Sequence, residues 1–298
     1  MKRERPRSGW PIGRVAGVEL RMHPTFLVMV AFALLGLFGR PLDGLVWLGL
    51  VFGGVVLHEL GHALVARRLG LQVRDIVLLP IGGASEIDGL DESPGHELVV
   101  AAAGPATSFA LAGAIAVVLV VAGVPFGSPT LAVGGLLQRG LWTNLMLGTF
   151  NLLPALPMDG GRMLRALMAR RMGIEGATLR AAAIGRRLAI AMGIVGVLYM
   201  PWLLVIAVFV HLACRAEEQT TLVHQRLAGL VVADVMVPIA DPSAHVGSIV
   251  VHEHDRLEET IDDLAATPDG IATVLDESDH AVGILLASRV AELVRPRH

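Results

Sequence analysis

The chain is poor in cysteine and in charge. Cys214 is its one cysteine, which excludes an internal disulfide framework and a cysteine-based metal cluster. Any metal must therefore rest on His, Asp and Glu. Charged residues make up 17% of the 298 positions, where soluble domains usually carry about 25%; an entirely soluble protein is not expected. The formal net charge of −3 is unevenly placed along the chain, and no nucleic-acid partner is expected. Internal repeats and low-complexity segments are also lacking.

Apolar residues take the place of charge: 54% of the chain is hydrophobic and the mean hydropathy is +0.64. The long apolar runs end before Arg215. Thr25–Gly39 is a first, short run. Leu45–Leu69 is a second and contains His58, Glu59 and His62. Leu98–Val124 and Leu131–Leu153 follow, the latter with Arg139 near its start. Leu188–Ala213 is broken at Met200-Pro201 and, with Ala177–Arg187, is expected to make two spans in hairpin. A spanning helix needs about 20 residues, so about six transmembrane crossings fit.

Basic residues set the expected orientation. Lys2, Arg3, Arg5, Arg7, Arg14 and Arg21 precede the first run; Arg67, Arg68 and Arg74 follow the second; and Arg162, Arg165, Arg170, Arg171, Arg180, Arg186 and Arg187 follow the fourth. The positive-inside rule then places both termini in the cytoplasm, for a multi-pass protein of the cell membrane. The first run is expected to be retained rather than cleaved, because no small-x-small site follows Gly39 and Arg40-Pro41 is a poor context.

From about Leu230 the composition becomes that of a soluble domain, dense in Asp and Glu. Periodicity predicts strands at Ser248–His252, Ile271–Leu275 and Ala281–Leu286, and helices at Leu257–Ala266 and Ser288–Val294. The expected architecture is thus a membrane-embedded helical domain over 1–228 and a small cytoplasmic α/β module over 229–298.

His58-Glu59-Leu60-Gly61-His62 fits the H-E-x-x-H pattern. On a helix, positions i and i+4 lie about 40° apart, so both imidazoles project from one face and can share a metal. Glu59 sits beside them, within reach of a water but not itself a ligand. Three ionisable groups in an apolar span are costly unless they face a protein interior and bind something. A catalytic zinc takes three protein ligands and keeps a fourth position open. The segment Asn151-Leu-Leu-Pro154-Ala-Leu-Pro157-Met-Asp159-Gly160-Gly161-Arg162 is where a third ligand is sought. Its prolines break the fourth run and permit irregular backbone around a cavity. Asp159 is read equally well as a ligand or as the N-cap of a helix starting near Arg162.

Taken together, His58–His62, Asn151–Arg162, Gly104-Pro105-Ala106-Thr107, Gly82-Gly83-Ala84-Ser85-Glu86 and the stretch from Gly17 to Phe26 resemble the site-2 protease family of intramembrane metalloproteases. The resemblance implies one Zn2+ per chain held by His58, His62 and Asp159, with Glu59 as the catalytic acid and base. It also implies a substrate that spans the bilayer once, such as a membrane-tethered control protein of transcription. Asn151 is the candidate donor to the developing oxyanion, a helix-capping or packing role being its alternative. Asp75–Ile87 reads as an extended or hairpin segment, whose exposed edge would pair with an unwound substrate, Val77–Leu79 being the stretch tested. Ala233–Pro238 and the elements after it resemble a cystathionine-β-synthase-type (CBS) module. Leu286 and Arg289 stand where that module has Ser/Thr and Asp, which argues against nucleotide binding and leaves homodimerisation through the module as the expected role. The competing classes are a CBS-regulated membrane transporter and a non-catalytic pseudoprotease.

Overall fold

In the computed structural model, the residues described are 9–36, 41–80, 82–90, 93–127, 135–239 and 247–294. Lys2, Arg3, Arg5 and Arg7 of the expected basic clusters lie outside them, as does the expected start of the fourth run at Leu131. Contacts divide the chain into two units that meet between Glu217 and Glu218.

The larger unit begins with a sheet. Strands β1 (Trp10–Val15) and β2 (Val18–Met22) form a hairpin. Its turn residues Ala16 and Gly17 both have positive φ, 50° and 79°, the geometry that matches the twist of flanking strands. β2 pairs in parallel with β3 (Val73–Leu79), after a crossover through helices α1 (Phe26–Leu34) and α2 (Pro41–Arg68). β3 pairs antiparallel with β4 (Gly82–Ile87), so the order is β1-β2-β3-β4 and β4 is an edge strand. The extended segment expected at Asp75–Ile87 is this β3–β4 hairpin. The free edge therefore falls on β4, whereas Val77–Leu79, the stretch expected to pair with substrate, lies in β3 between two partners.

Four further helices complete the unit: α3 (Pro94–Val121), α4 (Leu136–Asn151), α5 (Asp159–Leu198) and the first part of α6 (Pro201–Leu227). Ser93 caps α3 by accepting from the His96 amide, with Pro94 at the first helical position. Among the described residues, α2, α3 and α5 are the three helices long and apolar enough to cross a membrane. α1 has nine residues and reaches about 14 Å at 1.5 Å per residue, less than half the hydrocarbon thickness. α6 loses its apolar character at Arg215, Glu217 and Glu218. The break expected at Met200-Pro201 is present, because Pro201 opens α6. α5 is kinked at Gly173, whose φ of 76° and ψ of 166° separate two helical stretches, and the second of them carries the expected residues from Ala177 up to the break.

Small residues let the helices approach closely. A Cβ on Gly61 of α2 would collide with Thr107 Oγ1 of α3 and lie 3.0 Å from Ala103 O; one on Gly148 of α4 would lie 3.1 Å from the Phe109 ring of α3. A polar tie joins α3 to α5: Arg165 Nε donates to Glu97 Oε1 at 2.7 Å, and the Glu97 side chain is fully buried.

In the smaller unit the sheet order is β5-β8-β7-β6, from β5 (Val237–Pro238), β6 (Ile249–His252), β7 (Ile271–Leu275) and β8 (Ala281–Leu286). α7 (Leu257–Ala265) connects the parallel pair β6 and β7, and α8 (Ala287–Val294) follows β8. The expected strands and helices of this region are these elements, with bounds within one residue. Leu257, Leu264, Val274, Leu285 and Val290 form its core. In the β7–β8 turn, the Asp276 carboxylate accepts the amides of Ser278 and His280 at 2.8 and 2.9 Å. The His280 amide leads in holding that carboxyl below its usual range.

Breaking a buried ion pair from one side leaves an uncompensated charge, at a cost of about 3–5 kcal/mol. Glu97→Ala is thus expected to lower thermal stability in detergent sharply. Glu97→Leu combined with Arg165→Leu should lose less than the single variant, measured in the same unfolding experiment.

Candidate functional site

His58 and His62 lie one turn apart on α2, both buried, with ring centroids 4.9 Å apart. Each ring is oriented through Nδ1 by the facing helix. His58 Nδ1 lies 2.9 Å from Ser108 Oγ, and His62 Nδ1 lies 2.7 Å from the Val100 carbonyl. A carbonyl only accepts, so neutral His62 carries its proton on Nδ1 and presents a bare Nε2. Val100, Gly104 and Ser108 recur every four residues and form one stripe of α3. The middle position decides the geometry: a Cβ on Gly104 would collide with Nε2 of both histidines. The missing side chain leaves open space where the two nitrogens point.

Asp159 enters from a third helix. The chain leaves α4 at Asn151, passes through Leu152–Met158 with a cis Leu156–Pro157 peptide, and starts α5 at Asp159. Met158 occupies the N-cap position and makes no side-chain cap. Asp159 is therefore the first helical residue, and the alternative of a cap for a helix near Arg162 does not match the backbone. Its carboxylate faces the histidines instead, with Oδ2 3.0 Å from His58 Nε2 and Oδ1 3.3 Å from His62 Nε2. Close backbone approach makes this possible: Cβ atoms on Gly160 and Gly161 would collide with the Leu152 and Ala155 backbone.

Glu59 completes the group. The donor atoms of His58, Glu59 and His62 lie within 4.8 Å of one another. Ser85 Oγ on β4 donates to Glu59 Oε2 at 2.6 Å. All four residues line a cavity of about 320 Å³, together with Gly83, Ser85, Asn151 and Arg162. Asn151 is on the cavity wall, and one of its amide N–H bonds goes to Leu147 O of its own helix at 3.0 Å. The second N–H has no hydrogen bond among the described residues.

Two imidazole nitrogens and a carboxylate, converging on space that a Cβ would fill, are a donor set that fits zinc with a fourth position open. The structure thus gathers His58, His62, Asp159, Glu59 and Asn151 around one cavity. Sequence reasoning gave no role to Ser85, Ser108 or the Val100 carbonyl. Their signal is the four-residue recurrence on α3 and the period of two on β4, each visible only once the facing element is known.

Comparison with known proteins bears on the same region. The model of peptidase family M50 matches residues 46–196. A zinc metalloprotease of Methanocaldococcus jannaschii is 35% identical over 232 residues, 76% of this chain and 65% of the relative. Rip3 of Mycobacterium tuberculosis is 37% identical over 272 residues, 83% of this chain and 67% of the relative. The chain thus spans about two thirds of the length of these relatives. Among solved structures, a site-2 protease from Methanocaldococcus jannaschii superposes with a TM-score of 0.55 at 35% identity, covering 70% of this chain and 94% of that one.

If the space at Gly104 is where the metal sits, Gly104→Ala is expected to abolish stoichiometric zinc in purified protein while helical content by circular dichroism is kept. Full zinc occupancy in that variant would move the metal elsewhere.

Proposed function

Since this chain belongs to peptidase family M50, we propose that it is an intramembrane zinc metalloprotease that hydrolyses peptide bonds of membrane-spanning proteins. The observation that carries this reading is the convergence of His58 Nε2, His62 Nε2 and the Asp159 carboxylate at 3.0 and 3.3 Å. It occurs on helices of which α2 and α5 are apolar enough to cross a bilayer. His58, His62 and Asp159 would hold one Zn2+ per chain. Bound there, zinc would supply Lewis acidity to a water and to the scissile carbonyl.

The remaining chemistry falls to side chains. Glu59 accepts the proton of the attacking water and returns it to the leaving amine. Asn151 offers its second amide N–H to the carbonyl oxygen as negative charge develops. A helical substrate hides its amides, so it must unwind before it is cut. The free edge of β4 is well placed to receive the unwound strand, since Gly83 and Ser85 of β4 line the same cavity as Glu59.

The finer organisation belongs to the same proposal. About six crossings with both termini in the cytoplasm suit the placement of Lys and Arg. The α/β unit after Glu218 suits a CBS-like module that pairs two copies of the chain. A single-span membrane protein, such as a membrane-tethered regulator of transcription, is the substrate class that the family likeness implies.

Purified protein in detergent is expected to cut a single-span model substrate, and to lose this activity both on chelation and in Glu59→Gln. Glu59→Gln should retain one zinc per chain. Cleavage surviving in Glu59→Gln would remove Glu59 as the base, and a wild type that binds zinc but never cuts would favour a pseudoprotease. Asn151→Ala is expected to lower turnover by roughly 10²–10³-fold with KM little changed; an unaltered turnover number takes Asn151 out of the reaction.

A further inference from the structure

The general base of a metallopeptidase has to hold one carboxylate oxygen toward the water while the other is kept from wandering. Glu59 is carried on α2, yet α2 supplies no hydrogen bond to its carboxylate among those described. The contacts come from β4. Ser85 Oγ donates to Glu59 Oε2 at 2.6 Å, the short distance of a charge-assisted bond. Two residues earlier on the same face of the strand, Gly83 lies so close that a Cβ there would be 2.6 Å from Glu59 Cγ and 3.1 Å from Oε1. The strand alternates accordingly: Ala84 and Glu86 are exposed, while Gly83, Ser85 and Ile87 are partly buried. The strand thus packs against the base at Cγ and binds it at Oε2, and Oε1 has no hydrogen bond among the described residues.

The geometry points to Ser85 as a positioning residue for the reaction, one that acts through Glu59 and fixes which carboxylate oxygen takes the proton. This rests on the reading of Glu59 as the base. It also links two parts of the site. β4 is an edge strand, so the element that sets the rotamer of the base is the one whose outer edge is free for an extended substrate. The hydroxyl points inward and the pairing edge is backbone, so the two functions of the strand are separable by mutation. Removing the hydroxyl should disturb the base and leave strand pairing intact.

The test measures kcat, KM and bound zinc for the full-length protein in detergent, in the wild type, Ser85→Ala, Ser85→Thr and Glu59→Gln. Ser85→Ala is expected to lower kcat roughly ten- to hundredfold, the size of a lost hydrogen bond to a charged group, with KM and one zinc per chain unchanged. Ser85→Thr keeps the donor and should recover most of the loss. A Ser85→Ala turnover within about twofold of wild type would overturn the inference, because no such bond would be limiting. Equal losses in Ser85→Ala and Ser85→Thr, or a loss that follows zinc content or KM, would also overturn it by pointing to packing of the strand alone. If Glu59→Gln kept its activity, it is the assignment of the base that would fail, and the two failures are told apart by that control.

Discussion

A carboxylate and two imidazoles buried among apolar helices have to compensate one another, because none of them has water to do so. Desolvating a charge costs several kcal/mol even after relaxation, and hydrocarbon offers no partner. The contact of Asp159 with both His58 and His62 is therefore the constraint around which the larger unit is built. α2 has to present two imidazoles from one face, α5 has to begin at the aspartate, and α3 has to approach closely enough to orient both rings. Each requirement is visible as small residues at a contact: Gly61 against α3, Gly104 before the two nitrogens, and Gly160-Gly161 against the segment that leaves α4. The Glu97–Arg165 pair serves the same end. It ties the helix that orients His62 to the helix that carries Asp159, with Glu97 three residues before Val100 and Arg165 six after Asp159.

Irregular backbone lines the cavity on one side. Residues 152–158 are non-helical, as is permitted where backbone lines a protein interior rather than lipid. The β3–β4 hairpin approaches the cavity from another side. These two stretches are where backbone groups escape the helical ladder. They are also the parts of the site that an unwound peptide would need, since a helix has no backbone donors or acceptors to spare.

The chemistry was more legible in the sequence than the architecture. H-E-x-x-H has a spacing that works only on a helix, so His58 and His62 sharing a face follows from the letters alone. The elements after Leu230 were also legible, because a soluble domain half exposed to water has clear periods of 2 and 3.6. The membrane-embedded elements were harder to read. An apolar run has no contrast between its two faces, so it does not reveal where its helix ends, and α1 came out shorter than its run. From the residues alone Asp159 read equally well as ligand or cap, and only the family resemblance favoured the ligand; the backbone puts Met158 at the cap position. Ser85 and Ser108 were silent for a different reason. A lone serine acquires a role only from the residue it faces, and here that residue is 26 or 50 positions away.

The site also divides its parts by rigidity. The three groups that would hold the metal sit on α2 and α5, both packed against α3. Their relative positions are set by helix packing, which does not deform continuously. Glu59, the proposed base, is carried on α2 but hydrogen-bonded from a different element, an edge strand with one partner. Edge strands open at lower cost than core helices, because fewer contacts oppose them. Metal retention and proton transfer are therefore under separate structural control. A peptide laid along β4 adds hydrogen bonds to the strand that steadies Glu59, so occupancy of the edge favours alignment of the base. In the proposed reaction, bond cleavage would then be favoured only in substrates already unwound, which suits a protease that works among helices it must not cut.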